Sequence, residues 1–205
     1  APGAEGEQTI ALQLIDGDPA DPETAEKTLT LNITPLKGDA VFVSKTQEAP
    51  KIDGSIEGDN WTFPHKIEKR VQGDDTKISA AFDARWDAKN LYLAVKVMDP
   101  NVEGSQWNTE GSDQVLFFLD TLNNREATYN FDDRCFVMGA KGSRLDRNLS
   151  IGSTFGHNFK AGLIDGGYLV EGKIEFRRVG VGGREGIDPN FVLGFDIAVR
   201  DVSEK

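Results

Sequence analysis

The chain has 205 residues, 38% of them hydrophobic and 28% charged, with 22 glycines, a composition that suits one folded core rich in turns rather than a disordered chain. Its formal net charge of −11 repels phosphate backbones and anionic membrane faces, so nucleic acid is a poor partner. One cysteine, Cys135, excludes an internal disulfide and any thiolate zinc site of ordinary composition, and no apolar run approaches the ~20 residues of a membrane helix.

The first residues, APGAEGEQ, lack a charged-then-apolar leader and read as a mature or trimmed start, in keeping with export. Short alternating apolar segments then predict strands over 9–15, 28–34, 40–44, 77–86, 90–98, 114–120, 134–140, 168–176 and 191–199. Gly, Pro, Asn or Asp bounds each of them, and no segment shows a helical period with a capping signal. The pattern predicts an all-β fold, an antiparallel β-sandwich of jelly-roll-like type with two packed sheets. Within 90–98, Leu91, Leu93, Val95 and Val97 share the face that should meet the core, and Tyr92, Ala94, Lys96 and Met98 share the other.

A boundary is expected near 45–51. Residues 1–45 read as an N-terminal extension or the end of a preceding domain, with strands packing on the module, because so short a piece is too small to stand alone. Residues 46–205 read as the sandwich. There is no internal repeat and no low-complexity tract.

Catalysis finds little support. Only His65 and His157 offer a histidine base, and neither G-x-S-x-G nor H-E-x-x-H occurs. The run VGVGGREG (179–186) lacks the Lys-Ser/Thr of a phosphate loop and reads as a turn. Among 34 acidic residues some carboxylate pair always seems available for glycoside cleavage, so that pattern decides nothing. The chain is therefore expected not to be an enzyme. His65 should start a strand, and His157, in FGHNF, should sit in an exposed loop.

Binding residues are easier to pick out. Trp107 sits among polar and glycine residues instead of an alternating run, either as a stacking platform or as a plug beneath an acidic turn. Asn108, Glu110 and Asp113 would form the polar rim of a platform. Trp61 and Trp86 should be core residues, and Cys135 a buried thiol in a strand. Calcium takes about six to eight oxygens, which curled acidic segments can supply. Candidate ligands are Asp99, Asn101 and Asp113, flanking the 99–113 loop, and the pair Asp132 and Asp133. The turn DGDPADPE (16–23) lacks the twelfth-position glutamate of a complete calcium loop. Met98 with His65 or His157 could ligate a b-type haem, although no C-x-x-C-H is present.

Six segments in order, KIDGSIEGDNW (51–61), RWDAKNLYLAVKVMDPNV (85–102), SDQVLFFLD (112–120), TYNFDDRCF (128–136), DGGYLVEGKIEF (165–176) and GFDIAVRDVSE (194–204), resemble the family 9 carbohydrate-binding modules. The resemblance covers about residues 46–205. It implies a non-catalytic, calcium-containing sandwich attached to secreted xylanases and other surface proteins, hence an extracellular or cell-surface setting. The partners it implies are a polysaccharide or oligosaccharide and the other domains of a multidomain protein, with no membrane insertion. Trp107 matches the first of two tryptophans that clamp the end of a sugar chain. Leu116, Cys135 and Val137 stand where the family has a sugar-contacting glutamate, a glutamine and an arginine. The second clamp tryptophan and one further strand would follow Lys205, so part of residues 7–45 is expected to shield the edge left by that strand. The alternatives are a surface module that kept the fold without the sugar, or the haem electron-transfer domain.

Overall fold

The computed structural model describes residues 8–14, 25–31, 41–69, 71–72, 77–146, 157–181, 187 and 191–202. The chain divides into two compact units, Ala1–Phe42 and Val43–Lys205. In the first, β1 (Gln8–Leu14) and β2 (Ala25–Leu31) form an antiparallel hairpin with Ile10 opposite Leu29 and Leu12 opposite Lys27.

The second unit contains β3 (Ser44–Lys45), β4 (His65–Ile67), β5 (Ser79–Trp86), β6 (Asn90–Met98), β7 (Gln114–Asp120), β8 (Asp133–Gly139), β9 (Arg144–Asp146), β10 (His157–Ile164), β11 (Gly167–Glu175) and β12 (Gly194–Arg200). One 3-10 turn, Phe176–Arg178, follows β11, and no α-helix occurs among the described residues. Six strands form one sheet in the order β10-β11-β6-β5-β3, with β4 also on β5; four form the other in the order β12-β7-β8-β9. All pairings are antiparallel except β3 on β5.

Period-2 alternation explains the sandwich. Leu91, Leu93, Val95 and Val97 of β6, Tyr168, Val170 and Ile174 of β11 and Phe82 of β5 meet Val115, Phe117 and Leu119 of β7, Phe136 and Met138 of β8 and Ile197 of β12 in one core. Phe159 of β10 bridges the two sheets, its ring 5.5 Å from that of Phe117 and 5.3 Å from that of Phe136. The expected inward face of β6 is thus the observed one.

The opposite face of β6 is covered as well. Trp61, Tyr92, Ala94 and Leu169 form a second cluster with Ile52, Phe63 and Ile164, so the 51–63 segment lies as a further layer on the outside of the six-stranded sheet. Glu171, fully buried there, accepts hydrogen bonds from Trp61 Nε1 (2.8 Å), Gly54 N (2.7 Å) and Asp53 N (3.1 Å). Gly54 has φ +82°, and a Cβ on it would stand 2.8 Å from the Ala161 carbonyl oxygen, so the layer can approach only with glycine there.

Several expectations need correction. Residues 157–164 form β10, so His157 opens a strand and is half-buried, with its ring 4.7 Å from that of Phe136. Of the described residues 41–44, only Ser44 is in a strand. Trp86 is half-buried, packed against the core, and donates from Nε1 to Val43 O at 2.9 Å. As expected, Cys135 is buried in β8 and His65 opens β4, its ring 4.9 Å from that of Phe82. The expected edge shielding by residues 7–45 and the glycine run at 179–186 fall largely outside the described residues, and the DGDPADPE turn falls wholly outside.

Candidate functional site: an exposed indole and two carboxylate clusters

Trp107 lies in the 99–113 connection between β6 and β7, and its side chain is 92% exposed, so it does not plug the turn beneath it. The loop holds it out through its own polar groups. Ser105 Oγ accepts from the backbone N–H of Trp107 (3.2 Å) and of Asn108 (3.0 Å), Asn108 Oδ1 accepts from Glu110 N (2.8 Å), and Ser112 Oγ donates to Asn108 O (2.6 Å). Gly104, at φ +131°, permits the fold-back, since a Cβ there would meet Ser112 Oγ at 2.6 Å.

Asn108 and Glu110 are exposed beside the indole, as a rim requires. Asp113 is not part of that rim. It is fully buried, its Oδ2 accepting from Glu103 N (2.5 Å) and its Oδ1 from Val202 N (2.8 Å).

Asp113 instead joins Asp99 and Asp201, with one ligand oxygen of each within 4.8 Å of the others. Burial pushes the Asp113 carboxyl up to about 6, and the charges of Asp99 and Asp201 add to this against the two backbone N–H groups. Asn101 is exposed and reaches the cluster through its backbone N–H, which donates to Asp99 Oδ1 at 2.8 Å. Tyr168 is fully buried, and its hydroxyl has no hydrogen-bond partner among the described residues. Its pKa is raised by burial first and then by Asp113, Asp99 and Asp201.

Asp132 and Asp133 meet Asp120 in a second group of the same dimensions at the other end of β7. Register puts Asp120 directly opposite Asp133, a like-charge pairing that destabilises a sheet unless something offsets it. Backbone N–H groups of Arg125 and Asn124 donate to Asp120, and outweigh its burial to hold its carboxyl below the usual range. Asp132 Oδ2 accepts from Asn124 Nδ2 (3.2 Å), but its Oδ1 is buried with no hydrogen-bond partner among the described residues. A third group joins Asp53 and Asp59 of the 51–63 layer to the buried Glu171, and Lys51 pairs with Asp53 at 2.5 Å.

Sequence patterning missed Asp201, Asp120 and Glu171. Asp201 reaches Asp113 only because β12 pairs with β7, Arg200 opposite Gln114, and pairing between strands that distant in the chain leaves no local mark. Leu116, Cys135 and Val137 are neighbours as well. Leu116 opposes Val137 across the β7–β8 ladder, Cys135 lies two residues from Val137 on the same face, and both β8 residues are buried. Met98 and His157 lie at opposite ends of the six-stranded sheet: His157 is in register with Ile174, and Ile174 with Leu91, seven residues from Met98 and roughly 20 Å away. They cannot ligate one haem together.

Comparison with known proteins agrees with this architecture. Endo-1,4-beta-xylanase A of Thermotoga neapolitana is 31% identical over 190 residues, which is 91% of this chain and 17% of that protein. Exoglucanase XynX of Acetivibrio thermocellus is 31% identical over 178 residues, 82% of this chain and 15% of that protein. The chain thus spans less than a fifth of the length of these relatives. A carbohydrate binding module family 9 from Caldicellulosiruptor kristjanssonii, solved in complex with cellotriose, has the same fold, with a TM-score of 0.60 and 24% identity over 78% of this chain and 75% of that one. The sequence profile described as carbohydrate family 9 binding domain-like matches residues 52–205, so the chain belongs to that family of carbohydrate-binding modules.

Proposed function

We propose that the chain is a non-catalytic module of a secreted or surface protein that holds a sugar against the face of Trp107. The observation that carries this reading is the 92% exposure of an indole on a loop braced by its own hydrogen bonds. A pyranose has apolar C–H faces that lie on such a ring, and its hydroxyls need polar partners beside it. Asn108, whose Oδ1 is engaged with Glu110 N, keeps its amide donors for that task, and Glu110 supplies an acceptor. Holding the ring in place before binding lowers the ordering cost of association.

The relatives are xylanases and a glucanase, and the similar module is solved with cellotriose, which supports a plant-type polysaccharide as the partner class. The small share of each relative that the chain covers supports a place among other domains. Among the described residues no helix is long and apolar enough to cross a membrane.

Calcium is proposed as a structural ion. The donor sets are oxygen-rich, and Asp132 Oδ1 and Tyr168 Oη, buried with no hydrogen-bond partner among the described residues, are the kind of group that a bound ion or its water would satisfy. Asp132, Asp133 and Asp120 would hold one ion; Asp99, Asp113 and Asp201 would hold another. Such an ion would neutralise the clustered charge and add no chemistry of its own.

The second reading, a module that kept the scaffold without the sugar, is favoured by the apolar neighbours Leu116, Cys135 and Val137, which offer a ligand no hydrogen bond from that part of the sheet. Titration with xylo- and cello-oligosaccharides separates the two. Quenching of tryptophan fluorescence that Trp107→Ala abolishes is the result expected for the first, and a flat titration at millimolar sugar selects the second.

A further inference from the structure

The loop that joins β7 to β8 also sends apolar side chains into water, at the end of β7 opposite to Trp107. Phe131 is 69% exposed and Leu122 58%, and Tyr129 is exposed as well. Among the described residues of the sandwich, only Trp107 is a more exposed aromatic. Hydrogen bonds bring the two arms of this loop together. Thr121 donates to Asp132 O from its backbone N–H (3.2 Å) and from its hydroxyl (2.9 Å), which carries the β7–β8 ladder one step further and makes Leu122 and Phe131 the next opposed pair. Asn124 Nδ2 donates to Asp132 Oδ2 (3.2 Å) and Asn130 Nδ2 to Glu126 Oε2 (2.8 Å), so 122–126 is drawn against 130–132. Phe131 stands at the corner of a turn that Asp133 N closes on Asn130 O (3.4 Å), and Arg134 Nη1 donates to the Phe131 carbonyl (2.5 Å). Asn123 at φ +50° and Arg125 at φ +56° hold a backbone that side chains disfavour, kept in place by the Asn124 and Arg125 N–H groups on the Asp120 carboxylate. The polar groups of the loop fasten its backbone, and its apolar ones are left facing water.

We infer that Phe131, with Leu122 and Tyr129 beside it, is a second sugar platform, so that the module grips polysaccharide at both ends of β7. A stable protein partner needs about 800 Å² from each side. Three apolar side chains on one loop, beside Arg125, Glu126 and Asn130, suit one or two pyranose rings instead. The phenyl face takes the C–H side of a sugar, while the exposed Arg125 and Glu126 offer its hydroxyls a cationic donor and a carboxylate acceptor. β7 runs from Gln114 to Asp120, which sets the roots of the two aromatic loops roughly 20 Å apart. A short oligosaccharide therefore fills one platform at a time, whereas a long chain or two neighbouring chains engage both, and the second contact is then made at high effective concentration. The ligand class rests on the sugar reading above, but the platform does not depend on Trp107 binding anything.

The test follows the amide NMR signals of the full chain while cellotriose is added. Two separate groups of signals should shift, residues 104–112 and residues 121–132. Trp107→Ala should lose the first group and keep the second. Phe131→Ala should lose the second while melting with the native protein, because the ring it removes is exposed, and Phe131→Tyr should keep both. On amorphous cellulose, Phe131→Ala should be retained about tenfold less tightly than the native protein. Shifts confined to 104–112 overturn the inference and leave the Trp107 reading standing. Shifts confined to 121–132 uphold the second platform and remove the Trp107 reading, and shifts in neither group remove both. Shifts at 121–132 that persist in Phe131→Ala overturn the inference, as do shifts there that appear without sugar when the protein is concentrated, which would make a second copy the occupant. Equal retention of native protein and Phe131→Ala on cellulose overturns the two-ended grip.

Discussion

The indole nitrogen of Trp61 donates to the buried carboxylate of Glu171 at 2.8 Å, joining residues 110 positions apart. Both oxygens of that carboxylate are in use, since Asp53 and Gly54 donate to the second one. Glu171→Gln replaces one acceptor by a donor and leaves at least one buried N–H facing another. The expected loss is about 1–3 kcal/mol of unfolding free energy, measured by chemical denaturation. A change indistinguishable from zero would mean that the 51–63 layer is held by its apolar contacts alone.

Trp107→Ala should separate stability from recognition. A ring so exposed contributes little to the fold, and the change in stability should stay within about 0.5 kcal/mol. Oligosaccharide quenching should vanish in the same protein.

Phe117 has no exposed surface and packs on Phe159 at the centre of the sandwich. Phe117→Ala is expected to cost about 3–5 kcal/mol by cavity formation, read as a lowered denaturant midpoint with an unchanged slope.

His157 provides a pH signature. Burial lowers its pKa, Arg134 and Arg178 act in the same direction, and Glu175 opposes them. The folded state therefore holds fewer protons than the unfolded chain between the lowered value and the ordinary 6.5. Stability should be full above about 6.5 and fall as pH drops through that window. His157→Phe, with its ring still against Phe136, should flatten that part of the profile in thermal melts followed from pH 7.5 to 5, ranges chosen about one unit to either side.

Chelation should lower the melting temperature of the native protein and restored calcium should raise it, because an ion that binds only the folded state stabilises it by mass action, about 2.7 kcal/mol at a hundred times Kd. Melting curves identical with and without chelator would remove the structural ion from both acidic clusters.

The strands were legible where alternation was clean. The predicted bounds of β6 and β7, 90–98 and 114–120, are the observed ones. β10 does alternate, with Phe159, Ala161 and Leu163 on one face, but its apolar run is short, contains Gly162 and opens on a polar His-Asn pair, so it reads as part of a loop. The exposed indole was legible too, since Trp107 stood outside every alternating run. The carboxylate groups were only half legible. Asp99 with Asp113, and Asp132 with Asp133, are near in the chain, whereas Asp201 and Asp120 arrive by strand pairing. Nor could burial of Asp113 be read from sequence, because a carboxylate in a turn is usually solvated; here two backbone N–H groups, from Glu103 and Val202, take the place of water.

The coat formed by residues 51–63 gives the module a directional character. One broad wall is upholstered from within, with a buried acid stitched to the lining, and offers no bare sheet for a visitor to lie on. Attempts to re-aim such a module at a new target should therefore work on the strand-joining loops around the four-stranded wall, where insertions disturb neither the lining nor the double-sided β6.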